Sequence, residues 1–145
     1  MESHVTVGFL RDVIYFAASR GASLTEICQF AEISSESLTK PDEKIPGSIS
    51  QKVWQKAEAL TNDANIGLHL GEQIHPSTLG LVGFVMLSCG TLGEALEKLI
   101  RYTNLLTDGV KGKLAKNGLL AEIEIEIVRI ETGSTQGIRH IRLSA

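Results

Sequence analysis

Residues 91–128, TLGEALEKLIRYTNLLTDGVKGKLAKNGLLAEIEIEIV, change their hydrophobic period halfway along, and that change decides the fold class. Over the first half, Leu92, Ala95, Leu96, Leu99, Ile100 and Thr103 recur along one side of a helix. Thr91 and Glu94 form a capping box at its start, and Asp108 and Gly109 mark its stop. Glu94–Lys98 and Glu97–Arg101 place acid before base one turn apart, which supports the outer face. Over the second half the period falls to two, and Asn117-Gly118 suits the positive φ angles of a type I′ turn. A hairpin closed there sets Lys116 opposite Leu119, Leu114 opposite Ala121, Lys113 opposite Glu122 and Lys111 opposite Glu124. Val110, Leu114, Ala121, Ile123, Ile125 and Ile127 form the face that packs inward. The expected class is therefore α+β, a mostly helical domain with a C-terminal antiparallel β-hairpin packed on the helices.

Upstream of the decisive stretch, residues 77–88 carry Leu79, Val82, Met86 and Leu87 around Gly80 and Gly83. A short apolar run leaves helix and strand open; a buried helix is the preferred reading. Residues 66–73 read as a helix weakened by Gly67 and Gly71, and residues 48–60 as one with Ile49, Val53, Ala57 and Leu60 in a stripe beside Trp54. That tryptophan reads as a core or rim anchor. The segment PDEKIP, residues 41–46, reads as an extended linker. Ser34, Ser35 and Ser37 suggest a brief helical turn, and Ser23 with Glu26 caps a short helix through Leu24, Ile27, Cys28 and Ala31. A first helix over residues 5–20 presents Val5, Phe9, Leu10, Val13, Ile14 and Ala17 inward and stops at Gly21. Residues 129–145 read either as a further short strand or as a disordered tail.

A chain of 145 residues suits one domain and can bury a core without staples. Its 43% hydrophobic and 21% charged residues argue against widespread disorder. With net charge -3 and scattered Lys and Arg, a grip on nucleic-acid backbone is not expected. Cys28 and Cys89 sit among apolar or small residues outside any CxxC pattern, which reads as buried thiols in a reducing cytoplasm. No secretory leader opens the sequence, and the longest apolar run, residues 79–87, is too short to span a membrane.

The chemistry-bearing patterns are sparse. No GxSxG, HExxH or Gly-rich phosphate loop occurs, so an enzyme is not expected. Glu122, Glu124 and Glu126 alternate on the outer strand face, where charge is simply solvated. His69 and Glu72 share a helix face, but His75, beside Pro76, has left it, so neither a metal nor another cofactor is expected. The short helices around residues 24–39 resemble half of a helix-turn-helix, yet SSESLTKPDE offers one lysine among acids and no guanidinium or amide reader. Packing is the preferred reading there. Phe84, Met86, Leu87, Tyr102 and Leu105, with hydroxyls from Ser88, Thr103 and Thr107, have the mixture of a small-molecule pocket, although an ordinary core uses the same mixture.

Residues 68–110, LHLGEQIHPSTLGLVGFVMLSCGTLGEALEKLIRYTNLLTDGV, resemble the N-terminal effector-binding, arabinose-binding-type domain of AraC-family bacterial transcription regulators. Leu70-Gly71-Glu72, Leu79-Gly80, Gly83, Thr91-Leu92, Glu94-Ala95-Leu96 and Arg101-Tyr102 carry the likeness, which covers residues 5–128 with the hairpin included. The resemblance implies that residues 1–128 are a cytoplasmic module that senses a small molecule, dimerises, or both. It also implies that DNA would be met only through C-terminal helix-turn-helix units that these residues do not contain. Family effectors are diverse and the matching positions are mostly packing residues, so the resemblance names no ligand. A protein-interaction module without a small ligand is the alternative.

Overall fold

The computed structural model describes residues 3–117, 120–127 and 138–144. In chain order the elements are β1 (His4–Thr6), α1 (Val7–Ser19), α2 (Leu24–Ala31), a 3-10 turn (Ser37–Thr39), β2 (Lys44–Pro46), α3 (Gly47–Thr61) and α4 (Ile66–Gln73). A second 3-10 turn (Pro76–Leu79), α5 (Gly80–Leu87), α6 (Leu92–Leu106), β3 (Val110–Asn117), β4 (Leu120–Ile127) and β5 (Ile138–Ser144) complete it. The fold is α+β, as the change of period requires.

The core belongs to the first four helices. Leu10, Val13, Ile14 and Ala17 of α1 pack with Ile27 and Ala31 of α2, Val53 and Ala57 of α3, and Ile66 and Leu70 of α4. Ser23 caps α2 by accepting the Glu26 N–H at 3.3 Å. Glu32 and Asn62 close α2 and α3 in the left-handed region, at φ 60° and 52°. Trp54 is half-buried against Phe9, its ring centre 6.4 Å away. Two expectations change at the N-terminal end. The first helix begins at Val7 rather than Val5, because His4–Thr6 pairs antiparallel with Lys44–Pro46, and the expected linker is therefore in part a strand. Three-residue strands are too short to show a period.

The second half is more open. Thr91 caps α6 by accepting the Glu94 N–H at 3.2 Å, while Glu94 reaches back to the Gly90 N–H at 3.0 Å, one residue before the partner a capping box uses. Helix α6 ends at Leu106, short of Asp108, with Thr107 extended and forming an isolated bridge to Val5. Glu97, expected to face Arg101, meets Lys116 of β3 at 2.5 Å. Helix α6 lies on β3 at Gly112, where a Cβ would sit 3.0 Å from Ile100. Helix α5 forms, but only Val82 and Gly83 are buried; Leu81, Phe84 and Leu87 face outward, so the buried helix expected here is a surface one.

The sheet has the order β3-β4-β5, antiparallel throughout. Its register is two residues away from the expected one. Asn117 pairs with Leu120, Lys116 with Ala121, Leu114 with Ile123, Lys113 with Glu124 and Lys111 with Glu126. Asn117 is itself a paired strand residue rather than the first residue of the expected turn, and residues 118–119, like 128–137, lie outside the described residues. Glutamates repeat every two residues along β4, so Lys-Glu pairing is satisfied in either register and charge cannot choose between them.

Candidate functional site

Where the two halves meet there is an open cleft of about 540 Å³. One wall is the first turns of α1, with Gly8, Phe9, Arg11 and Asp12; the opposite wall is the turn into α5, from Thr78 to Val82, with Leu105 and Leu106 of α6. Pro41 and Asp42 close one side. The position of that loop follows from the need to satisfy the free N–H groups of a helix start. Thr6 makes no side-chain cap, and the carbonyls of Glu43 and Pro41 accept the N–H groups of Val7 and Gly8 at 2.8 and 2.9 Å instead. A Cβ on Gly8 would press to 3.2 Å from the Pro41 carbonyl oxygen, so glycine lets the loop seat against the helix. Across the cleft, Gly80 opens α5 at φ +57°, a conformation that favours glycine, with nothing within 4 Å of where a Cβ would stand.

Several surface charges are paired, Lys52 with Glu32 at 2.6 Å, Lys56 with Glu26 at 3.5 Å, and Asp63 with both His69 at 2.7 Å and Arg20 at 3.6 Å. Among the described residues Arg11, Asp12 and Asp42 make no hydrogen bond or ion pair. Burial raises the Asp12 carboxyl above its ordinary pKa, and the neighbouring Arg11 guanidinium offsets this only in part. A second depression, about 290 Å³, lies between α6 and the hairpin, but its Lys111, Lys113, Glu124 and Glu126 stand opposite one another in the sheet register.

Strand β1 ties the far end of α6 to the first half. The Thr107 hydroxyl donates to the His4 carbonyl at 2.8 Å, and the Asp108 carboxylate accepts the His4 N–H and faces its ring Nδ1 at 3.4 Å. The His4 backbone N–H is the main reason the Asp108 carboxyl is held below its ordinary range.

The residues singled out from sequence fall largely outside the cleft. Phe84, Leu87, Tyr102 and Leu105 are exposed by 62%, 53%, 36% and 53%, and Met86 is half-buried; of the five only Leu105 lines the cleft. The associated hydroxyls donate to backbone carbonyls, Ser88 to Val85, Thr103 to Leu99 and Thr107 to His4. His69 pairs with Asp63, and no group of three metal-binding side chains is found among the described residues. The serine-rich turn after α2 is a single 3-10 turn, with no second α-helix to lie in a DNA groove. Both cysteines are free, Cys28 buried and Cys89 half-buried. No helix among the described residues is long and apolar enough to cross a membrane. Sequence reading missed Arg11, Asp12 and Asp42, which look like ordinary surface charges until the fold joins α1 to the Pro41 loop.

Comparison with known proteins places this architecture among domains of transcription regulators rather than in an enzyme class. A family described as the arabinose-binding domain of AraC transcription regulators, N-terminal, matches residues 21–141, and the chain belongs to that family. It is similar to the ornithine utilization regulator of Pseudomonas aeruginosa, 26% identical over 102 residues that make up 70% of this chain and 30% of that protein. It is also similar to uncharacterized HTH-type transcriptional regulators of Mycobacterium bovis and Mycobacterium tuberculosis, each 32% identical over 93 residues, 63% of this chain and 27% of theirs. The chain thus spans under a third of the length of these relatives.

Proposed function

We propose that residues 1–128, with the strand that follows, form the small-molecule sensing domain of a cytoplasmic AraC-type regulator, and that the effector sits in the cleft between α1 and α5–α6. The observation that carries this reading is the cleft at the joint between the halves, which brings Arg11, Asp12 and Asp42 together with Leu79, Leu81 and Leu105. A ligand there touches both halves and so favours one relative arrangement of them over another, which is what a sensor requires. DNA would be contacted only through helix-turn-helix units that these residues do not contain. The name of the Pseudomonas relative puts ornithine among the ligands to try.

The test is a thermal-shift screen with sugars, amino acids, fatty acids and aromatic acids. An effector for this cleft raises the melting temperature of the wild-type chain and fails to do so for Leu81→Trp, which fills the cleft from an exposed position. The second reading is a dimerisation module. It rests on the apolar surface of α5 and α6, where Phe84, Leu87, Tyr102 and Leu105 stand in the open around Met86. A firm dimer in solution with no shift from any ligand class favours that reading instead.

A further inference from the structure

The chemistry lining the cleft is specific enough to name a ligand class, a step that rests on the reading of the cleft as the effector site. Its charged groups are one guanidinium, Arg11, and two carboxylates, Asp12 and Asp42. Leu79, Leu81 and Leu105 give it an aliphatic floor. One guanidinium cannot balance two carboxylates, and a neutral sugar would bring no counter-charge for the excess as water is displaced. A fatty or aromatic acid would satisfy Arg11 while setting its own apolar body beside two carboxylates. The complementary ligand carries one carboxylate, two ammonium groups and a chain of methylenes between them.

We propose that the cleft binds a basic α-amino acid. Arg11 and Asp12 are consecutive on α1 and hold the two ends of one α-amino acid head group: the guanidinium forks onto the carboxylate, and the Asp12 carboxylate accepts from the α-ammonium. Asp42, on the loop seated at the start of α1, accepts from the distal ammonium, and the leucines cover the methylenes between. The half-buried Asp12 carboxylate, which burial disfavours in its charged form and Arg11 offsets only in part, gains a second positive partner. None of the three side chains makes a hydrogen bond or ion pair among the described residues, so their substitution removes no such contact from the fold.

Isothermal titration of the 145-residue chain with five probes tests this: L-lysine, L-ornithine, norleucine, which lacks the distal ammonium, cadaverine, which lacks the carboxylate, and L-glutamate. Lysine or ornithine is expected to bind more tightly than each of the other three by on the order of tenfold, the scale of one charge-assisted hydrogen bond. Asp42→Asn is expected to erase the preference over norleucine, and Arg11→Gln the preference over cadaverine, both with unchanged melting temperature. Norleucine or glutamate binding as tightly as lysine, with the affinity lost in Leu81→Trp, would overturn the ligand class and leave the effector cleft standing. Lysine affinity untouched by Asp12→Asn, Arg11→Gln and Asp42→Asn would place the amino acid elsewhere and overturn the proposal. No binding by any probe, together with no shift in the wider screen, would remove both the class and the cleft reading.

Discussion

The α1–α4 half and the α5–α6–sheet half both rest on packed helices, yet they finish differently. In the first, Leu10, Val13, Ile14, Ile27 and Val53 are shut away from water completely. In the second, Val82, Gly83 and Ala95 are buried on the two helices, while Leu81 and Leu92 are each 71% exposed. A closed core stabilises its own fold, whereas a half-covered apolar surface keeps part of that free energy for contact with something else. The contrast makes the first half a closed platform and leaves the second with apolar surface open to solvent.

The comparison breaks most directly by truncating equivalent side chains on either side. Ile14→Ala should cost about 2–5 kcal/mol in chemical denaturation, the range for a deleted core side chain. Phe84→Ala, exposed on α5, should stay within about 0.5 kcal/mol for the isolated chain. Equal losses at the two positions would mean that the second half is covered in solution. A smaller effect sharpens the picture at α6. Thr91→Ala removes the cap that accepts the Glu94 N–H and should cost about 1 kcal/mol, with faster amide exchange in α6 than in α1.

Acid gives the mildest probe, and Asp63 and Asp108 are two of the carboxylates it acts on. The hydrogen bond from His69 is the first cause that lowers the Asp63 pKa, within the first half; Asp108, lowered mainly by the His4 N–H, lies at the joint. A carboxyl whose folded pKa lies below its unfolded value contributes stability that is present above the unfolded value of 3.8 and is lost as pH falls through the folded one. Melting temperature should therefore fall with acidification below about pH 4. Asp63→Asn should flatten that fall, and a fall of unchanged steepness in the variant would remove Asp63 as a contributor.

Much of the helical half was readable because its signals are local. Ser23 and Thr91 cap where expected, and helix α4 runs from Ile66 to Gln73 as its pattern indicates. What was not readable depends on distant partners. The two-residue repeat of Glu122, Glu124 and Glu126 makes one hairpin register look like the next. Helix α5, apolar almost all round, does not tell which of its sides meets water. Arg11, Asp12 and Asp42 become a group only when the carbonyls of Pro41 and Glu43 seat a loop on a helix start about thirty residues earlier.

Strand β1 has a practical consequence. With three residues it bonds to Lys44–Pro46 on one side and, through His4, to Thr107 and Asp108 on the other. It works like a rivet through two plates. A fusion partner or affinity tag placed immediately before Ser3 crowds the rivet head itself, so a reporter of motion between the halves belongs elsewhere on the chain.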